Sequence, residues 1–202
     1  MSENITAVSL FSGAGGMDVG FKNAGIKVLM ANEIDKMASK TFIENHPETK
    51  MIVDDINNIF PVLEEYRGVD IVFGGPPCQG FSVIGKMDPD DIRSQLIWSF
   101  LKAVEIIQPR AFVMENVKAL AAIAKWKDVR EEFIVKAKEM GYGCIPFIVN
   151  AAEYGTPQKR ERVFFIGIKG EEEFGDKFLE LLYKQKSKAP TIRELFKDLG
   201  PA

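Results

Sequence analysis

The stretch Thr6-Ala-Val-Ser-Leu-Phe-Ser-Gly-Ala-Gly-Gly16 decides the fold, because an apolar run leads directly into a glycine-rich turn. The apolar run predicts a buried strand over 6–10, and a helix is predicted over 17–23. Glycines at such a junction let the backbone approach a ligand, and the helix N-terminus offers N–H groups without intrahelical partners. The turn has neither the GxGxxG spacing nor a following GK[ST], so it matches neither the dinucleotide fingerprint nor the phosphate loop.

The same alternation of short apolar runs and helical patterns continues along the chain. Further strands are predicted over 28–31, 51–53, 69–73 and 111–114, and further helices over 34–45, 94–108 and 127–139. Repeated strand–helix–strand units imply right-handed crossovers and a largely parallel sheet. Two final strands, 145–149 and 163–168, are too close for a helical crossover. We therefore predict an α/β fold with helices on both faces and an antiparallel last strand, with ligands at the carboxyl ends of the strands.

Composition bounds the domain organisation. The chain has 202 residues, of which 46% are hydrophobic and 27% charged, as in an ordinary globular domain. One catalytic or binding domain is expected over 1–170, followed by a charged tail over 171–202 that cannot build its own core. The net charge of −3 is unlike that of a basic nucleic-acid module, so DNA contact would need local charge or another chain.

Cysteine and histidine usage excludes other classes. Two cysteines and one histidine are too few for a disulfide framework or a Cys/His zinc site, so no metal is expected. The first residues include an acid and no apolar segment, and no apolar run approaches the roughly 20 residues of a membrane helix. A cytoplasmic protein without membrane contact is therefore expected.

Acidic side chains follow two of the predicted strands. Glu33 ends the second strand, where a carboxylate can accept hydrogen bonds from ribose hydroxyls. Asp55 and Ile56 follow the third strand, where an acid and an apolar side chain can contact an adenine. Either acid alone is an ordinary helix-capping residue. Together with the glycine-rich turn, they indicate an adenosine-containing cofactor.

A cysteine is held in a rigid loop after the fourth strand, in Phe73-Gly-Gly-Pro-Pro-Cys-Gln-Gly-Phe-Ser82. Prolines and glycines at this position restrict the backbone around a single thiol. A cysteine that only fills the core would sit within a strand, as Cys144 is predicted to do. We therefore interpret Cys78 as an exposed nucleophile.

Charged residues are predicted at the same edge of the sheet. Glu115 follows the fifth strand, which neighbours the cysteine loop in a parallel sheet. Arg160 and Arg162 precede the last strand, and their alternate spacing points both to one side of an extended segment. A capping role for Glu115 and a solvated charge run for the arginines are the ordinary alternatives.

In order and spacing these motifs resemble those of the DNA (cytosine-5)-methyltransferases, of the bacterial restriction–modification type. The resemblance spans about 6–168 and rests most on Pro-Cys-Gln, Glu-Asn-Val and Gln-x-Arg-x-Arg in that order, at residues 77–79, 115–117 and 158–162. It implies a Rossmann-like methyltransferase fold that uses S-adenosylmethionine. It further implies double-stranded DNA as the substrate, with the target cytosine flipped out of the duplex.

The resemblance also implies a role for each catalytic residue. Cys78 would add to C6 of the cytosine, which makes C5 nucleophilic enough to accept the methyl group. Glu115 would hydrogen-bond or protonate N3, and Arg162 would contact O2 with Arg160 beside it. Loss of the C5 proton and expulsion of Cys78 would then restore the aromatic ring.

Binding residues carry over by position in the same way. The cofactor set is Phe11, Gly13, Gly15, Gly16, Glu33, Ile34, Asp55, Ile56, Pro76 and Leu96. Ile34 stands where some relatives carry an aromatic residue, which would weaken the adenine contact. The DNA-contacting set is Gln79, Ser82 and Arg93.

Two parts of the family pattern are missing from this sequence. A target-recognition domain and a last conserved segment follow the Gln-x-Arg-x-Arg strand in the family, whereas here the tail contains only a lead-in at 190–193. We therefore expect either a split enzyme, with a second chain supplying the missing region, or a truncated product, and poor methylation by this chain alone. The alternatives are a tRNA cytosine-5 methyltransferase, a catalytically silent binding or regulatory subunit, and a general S-adenosylmethionine-binding module, which would leave the Pro-Pro-Cys loop unexplained.

Overall fold

A computed structural model describes residues 5–77 and 95–197. In these residues strands alternate with helices along most of the chain, and the last two strands form a hairpin. The strands are β1 (Thr6–Leu10), β2 (Lys27–Glu33), β3 (Lys50–Val53), β4 (Ile71–Gly74), β5 (Ala111–Val117), β6 (Tyr142–Asn150) and β7 (Glu161–Lys169). The helices are α1 (Gly16–Asn23), α2 (Lys36–Asn45), α3 (Phe60–Leu63), α4 (Leu96–Ile107), α5 (Lys118–Ala122), α6 (Lys127–Glu139), α7 (Gly175–Lys184) and α8 (Ile192–Leu195).

The strands form one seven-stranded sheet in the order β3-β2-β1-β4-β5-β7-β6. Neighbours from β3 to β5 pair in parallel, whereas β7 runs antiparallel to both β5 and β6. The reversal arises because a short connection joins β6 to β7, too short for a crossover. The predicted mostly parallel sheet with an antiparallel last strand is confirmed.

Side chains alternate across β5 and separate the two faces of the sheet. Phe112 and Met114 belong to the larger core, together with residues of α4 and α6. Val113 packs with a smaller cluster on the opposite face, where the rings of Phe21 and Phe73 stack 3.8 Å apart. Helices therefore cover both faces, as predicted.

The segment after β7 packs on the sheet edge formed by β6. Phe174 is buried, and the ring of Phe178 on α7 lies 4.8 Å from that of Phe147. Backbone bridging between Tyr154 and Ser187 then brings the chain beside the β6–β7 connection. The segment from Phe174 to Ser187 thus contacts β6 and the β6–β7 connection.

Several predicted boundaries differ from the structure. β5 continues to Val117, so Glu115 lies inside the strand rather than after it. β6 begins at Tyr142 and includes Pro146, which is tolerated because β6 is an edge strand. The short helix α3, with Pro61 in its first turn, was not predicted, because one helical turn carries no periodic signal.

No helix in 5–77 or 95–197 is long and apolar enough to cross a membrane. The same residues contain no group of three or more His, Cys, Asp or Glu side chains that could hold a metal ion.

Candidate active site

Glu115 stands between two arginines at the edge of the sheet. Its carboxylate Oε1 lies 2.9 Å from Nε of Arg162 and 3.6 Å from Nη2 of Arg160. The side chain of Glu115 remains 20% exposed, so the group is held by the protein but open to a ligand. A carboxyl group and two guanidinium groups thus meet at one point.

Strand register brings these three residues together. In the β5–β7 ladder Glu115 is opposite Phe164 and Val117 is opposite Arg162. Arg162 therefore lies diagonally across from Glu115 on the same face, within reach of a long side chain. Arg160 continues the same alternation just before β7, as the sequence predicts.

The charged group forms one wall of a cavity of about 550 Å³. The ends of β1 and β4 form another wall, through Leu10, Phe73 and Gly74. Residues of the β6–β7 connection, Tyr154 and Thr156, complete the lining. The volume lies within the roughly 300–1,000 Å³ typical of small-molecule sites.

Glu33, the last residue of β2, organises the neighbouring part of the site. Its Oε2 accepts a hydrogen bond from the backbone N–H of Gly13 at 2.8 Å. Its Oε1 accepts from the backbone N–H groups of Ile34 and Asp35, each at 2.9 Å. Since a carboxylate offers about four lone-pair sites, capacity remains for a ligand hydroxyl.

A second cavity, of about 150 Å³, adjoins Glu33. Asn32 is buried below it and donates from Nδ2 to the carbonyl oxygens of Ile52 and Asp54, which holds the ends of β2 and β3 together. The predicted residues that line this cavity are Phe11, Glu33, Ile34, Asp55, Ile56 and Leu96. Both cavities are lined by Phe11 and Gly75, so they are adjoining parts of one groove.

The glycine-rich turn has the backbone that its sequence predicts. Gly13 and Gly15 have φ angles of +55° and +90°, which favour glycine. Gly16 lines the larger cavity, whereas Gly15 packs behind the turn against His46. Phe11 also has a positive φ, of 53°, an unusual conformation for a residue with a side chain.

The groove fits an adenosine-containing cofactor in the chemistry of its lining. Apolar side chains of Phe11, Ile34 and Ile56 surround the smaller cavity, next to the carboxylates of Glu33 and Asp55. The larger cavity contains the buried hydroxyl oxygen of Ser12, which has no hydrogen-bond partner among the described residues. Unpartnered polar atoms at a cavity wall are available to a polar ligand.

Pro76 departs from its predicted position. Its neighbour Pro77, rather than Pro76, lines the smaller cavity. The carbonyl oxygen of Pro76 instead accepts a hydrogen bond of 3.3 Å from Nδ2 of Asn116, which is buried on the opposite face from Glu115. This hydrogen bond fixes the backbone at Pro76, two residues before Cys78, to the end of β5.

Four predicted residues lie outside the described part of the chain. They are the proposed nucleophile Cys78 and the proposed DNA contacts Gln79, Ser82 and Arg93. The described backbone reaches Pro77, and Gly75 is close to the site, since a Cβ atom built there would lie 3.3 Å from Oε2 of Glu115. Gly75, three residues before Cys78 in the sequence, therefore lies beside Glu115.

Sequence reasoning missed several residues that line the larger cavity. Tyr154 and Thr156 belong to an irregular connection whose sequence carries no motif. Ser9 and Asp18 are polar residues that the structure buries. A polar residue in a segment predicted to be buried is the one signal in the sequence that could have identified them.

Comparison with known proteins identifies the class to which this fold and site belong. The chain is a member of the C-5 cytosine-specific DNA methylase family, whose model matches residues 5–200. This confirms the resemblance noted in the sequence.

Individual relatives agree with the family. The chain is 36% identical over 197 residues to the type II methyltransferase M.DdeI of Desulfomicrobium norvegicum, which covers 95% of this chain and 48% of that protein. It is 41% identical over 174 residues to the type II methyltransferase M.AquIA of Picosynechococcus, which covers 79% of this chain and 70% of that protein.

Solved structures show the same fold. A prophage-encoded protein of E. coli, described as a DNA modification methyltransferase, superposes with a TM-score of 0.79 at 31% identity over 98% of this chain and 56% of that one. A DNMT2 variant of Spodoptera frugiperda superposes with a TM-score of 0.67 at 26% identity over 83% of this chain and 51% of that one. The chain therefore spans about half the length of three of these four proteins and 70% of M.AquIA.

Proposed function

We propose that this chain is the catalytic portion of a DNA cytosine-5 methyltransferase that transfers a methyl group from S-adenosylmethionine to C5 of a flipped-out cytosine. The observation that carries the proposal is the contact of Glu115 with Arg160 and Arg162 at the cavity, beside the backbone that leads to Cys78. Membership in the methylase family supports the reaction type.

The protein's groups supply acid, charge and nucleophile in this proposal. The Cys78 thiolate adds to C6 of the ring, and electron density moves toward N3 and O2. Glu115 hydrogen-bonds or protonates N3, while the guanidinium of Arg162 stabilises the charge at O2. Arg160, 3.6 Å from the same carboxylate, helps to orient it. After transfer, a base such as water takes the C5 proton, the electrons of that C–H bond re-form the C5–C6 double bond, and the C6–S bond breaks to release Cys78 as a thiolate, which restores the aromatic ring.

The cofactor occupies the groove formed by the two cavities in this proposal. Phe11 and Ile56 would hold its adenine together with Asp55, and the carboxylate of Glu33 would accept hydrogen bonds from its ribose hydroxyls. Gly13 and Gly16 allow the backbone to approach the remaining part, next to the larger cavity. When bound, S-adenosylmethionine supplies an electrophilic methyl group.

DNA reaches the site with its target base outside the helix. A stacked cytosine cannot reach a thiol at a sheet edge, so flipping is required and costs a few kcal/mol. The loop after Cys78 carries Gln79, Ser82 and Arg93, which we assign to contacts with the DNA. The reaction would take place in the cytoplasm.

We further propose that a second chain completes the enzyme by supplying target recognition and the last conserved segment. Three apolar residues on one side of α8 and its C-cap are about half exposed: Ile192 at 54%, Leu195 at 45% and Phe196 at 56%. This α8 face offers an apolar surface for the second chain. It also lies close in sequence to Ser187, whose backbone bonds to the connection that lines the cavity.

Cofactor binding is tested first, on the chain alone. Isothermal titration calorimetry with S-adenosylhomocysteine should show one site, and Glu33→Gln should weaken it, since the carboxylate both orders the turn and faces the ribose. Glu65→Gln, at an exposed surface pair with Lys50, is the matched control and should bind as the parent does. A parent protein that does not bind S-adenosylhomocysteine would contradict the proposed function.

The covalent step is tested with DNA in which every cytosine is replaced by 5-fluorocytosine, in the presence of S-adenosylmethionine. We expect a slowly formed protein–DNA adduct with the chain alone, and faster formation when the C-terminal half of M.DdeI is added as a separate polypeptide. Cys78→Ser should form no adduct. An adduct formed by Cys78→Ser would contradict the role of Cys78 as nucleophile. Efficient adduct formation by the chain alone would contradict the proposal that a second chain completes the enzyme. The same assay on tRNA decides between the two nucleic acids.

A further inference from the structure

The sheet face that carries α1 is left partly open at β5 and β7. Residues of these strands that point away from α1, such as Phe112 and Phe165, are fully buried. Their neighbours Val113 and Ile166, which pair with each other and point to the α1 face, are only partly buried. Within the described part of the chain, Ile166 belongs to neither core cluster. An apolar surface therefore lies accessible on this face.

The open surface is a row of apolar side chains along two paired strands. The β5–β7 register places Ala111 opposite Ile168 and Val113 opposite Ile166, and Phe164 comes next on β7. Residues that are opposite each other, or two apart in one strand, share a face. We call these five residues the strip.

The strip has a helix on each side. On one side, the ring of Phe21 on α1 stacks on that of Phe73 on β4, with 3.8 Å between the centroids. On the other side, the ring of Phe178 on α7 lies 4.8 Å from that of Phe147 on β6. Since neighbouring strands are about 4.8 Å apart, β4 and β6 are separated by roughly 14 Å. One further helix, about 10 Å across with its side chains, fits between α1 and α7.

Cavities lie at both ends of the strip. At the amino ends of β4 and β5, a cavity of about 540 Å³ is lined by Ile71, Ala111 and Ile168. At the other end lies the larger cavity of the candidate site, which Phe73 and Phe164 line. From Ile168 to Phe164 the strand rises roughly 13 Å. About nine residues of an α-helix span that distance.

The side of α1 toward the strip carries two glycines. Asp18 and Lys22 line the groove on the side of α1 toward α2, so the helical repeat places Gly16 and Gly20 on the side toward the strip. A Cβ atom built at either glycine meets nothing within 4 Å. Because the distance between packed helices depends on the side chains at their contact, a helix in the strip can approach α1 closely.

The source of such a helix lies outside the described residues. Residues 1–4 and 198–202 are each too few for nine residues of helix, and 78–94 contain the proposed nucleophile and DNA contacts. M.DdeI and the two solved structures are about twice as long as the part that this chain covers. The occupant of the strip is therefore sought in the proposed second chain.

We propose that the strip is the docking site of one amphipathic helix of the second chain, and that the docked helix closes the larger cavity from the side of β5 and β7. The proposal rests on the proposed function, because the second chain supplies the occupant. The helix presents an apolar face to the strip, and burial of apolar surface drives the association. Because its end borders the larger cavity, helix docking and cofactor binding favour each other.

Binding of the C-terminal half of M.DdeI, as a separate polypeptide, tests the site by calorimetry. Gly20→Leu fills the space beside α1 and should weaken this binding by about tenfold or more. The variant should fold, since the position is exposed and leucine favours helices. Thr41→Leu, at an exposed position of α2, is the matched control and should bind the polypeptide as the parent does.

Thiol labelling locates the contact without reference to activity. In the Cys78→Ser protein, a cysteine introduced by Ile168→Cys should react readily with a maleimide when the chain is alone, because this position lines an open cavity. Saturation with the polypeptide should slow its labelling by about tenfold or more, as burial in an interface removes access to the thiol. A cysteine introduced by Thr41→Cys should be labelled at the same rate with and without the polypeptide.

Cofactor affinity provides the test of coupling. With the polypeptide bound, the parent should bind S-adenosylhomocysteine severalfold more tightly, and the gain should be smaller in Gly20→Leu at the same polypeptide concentration. An affinity that the polypeptide leaves unchanged in the parent would overturn the closing of the cavity.

The remaining outcomes separate the two proposals. Equal polypeptide binding by the parent and Gly20→Leu, with Ile168→Cys still labelled at its full rate, would overturn the docking site and leave the second chain in place. A parent that does not bind the polypeptide contradicts the second chain and this inference together. Sedimentation velocity should show a monomer for the chain alone, and a dimer that Gly20→Leu dissociates would assign the strip to a second copy instead. Thermal unfolding shows that each variant is folded during these measurements.

Discussion

Glu115 on β5 and Arg162 on β7 are joined by a contact of 2.9 Å between Oε1 and Nε across an antiparallel strand pair. The two residues are 47 positions apart in sequence, yet the register of two strands brings them to the same cavity. Both side chains are partly exposed, at 20% and 27%, so a ligand in the cavity can contact the carboxylate and the guanidinium together.

Replacing Glu115 by Gln should reduce methyl transfer by about 10²–10⁴-fold, because the amide cannot act as an acid toward N3. Affinity for S-adenosylhomocysteine should change little, since the adenosyl cavity is lined by other residues. Initial rates with tritiated S-adenosylmethionine and calorimetry measure the two effects. Glu161→Gln, which removes only an exposed pair with Lys118, should remain active. Equal activity of the two variants would refute the role of Glu115.

Replacing Arg162 by Lys should slow adduct formation with 5-fluorocytosine DNA by about tenfold or more, because an ammonium cannot reproduce the planar contact of a guanidinium. The affinity of Arg162→Lys for S-adenosylhomocysteine should stay within about a factor of two of the parent's, which is no significant change. Arg67→Lys, at a surface pair with Glu64, serves as the control. If the rate of adduct formation falls equally in both variants, the cavity position of Arg162 has no special part in the reaction.

Cys144 should resist alkylation in the native protein. Burial raises the pKa of its thiol to about 12, so almost none is thiolate at pH 8. Iodoacetamide followed by peptide mass spectrometry should leave Cys144 unmodified until about pH 10, or until denaturant is added. Cys78→Ser makes Cys144 the only thiol and simplifies the measurement. Rapid native labelling of Cys144 at pH 8 would contradict its assigned environment.

Gly167→Ala should destabilise the fold by about 1–3 kcal/mol, the usual cost of overpacking a core. A Cβ atom at Gly167 would lie 2.0 Å from the ring of Phe112. Gly20→Ala is the matched control, since a Cβ atom there meets open space on the surface of α1, and it should stabilise by roughly 1 kcal/mol. Urea unfolding of both variants gives the free energies, and a Gly167→Ala protein as stable as the parent would contradict the packing.

The sequence predicts the fold well because the pattern that identifies each strand, turn or helix lies within a short stretch of the chain. The apolar runs of β1 and β4, the glycine-rich turn and the helical spacing of α6 are each contained in fewer than twenty consecutive residues. Rules of handedness and connection then assemble such units into one sheet. The lengths of β2 and β5 were underestimated because polar residues such as Glu33 and Asn116 continue strands whose apolar pattern has ended.

The site was predicted less completely, and the reason is also physical. Glu33, Asp55 and Ile56 could be assigned because they directly follow or end strands, and the structure places them at the smaller cavity. The contact of Glu115 with both arginines depends on the register of β5 and β7. The sequence predicts only that these residues lie at the same edge of the sheet. The burial of His46 against Gly15 depends on how α2 packs on α1, for which the sequence carries no local pattern.

The contact of Arg162 with Glu115 depends on which face of β7 the arginine occupies, and successive residues of a strand alternate between its two faces. Arg162 shares its face of the strand with Phe164, while Val163 and Phe165 are buried in the larger core on the other side. Deleting one residue within β7 would rotate the arginine into the apolar interior and a valine or phenylalanine toward Glu115, whereas deleting two would restore the orientation. Insertions or deletions of an odd number of residues in β7 should therefore disrupt the site, whereas those of an even number should preserve the orientation of Arg162.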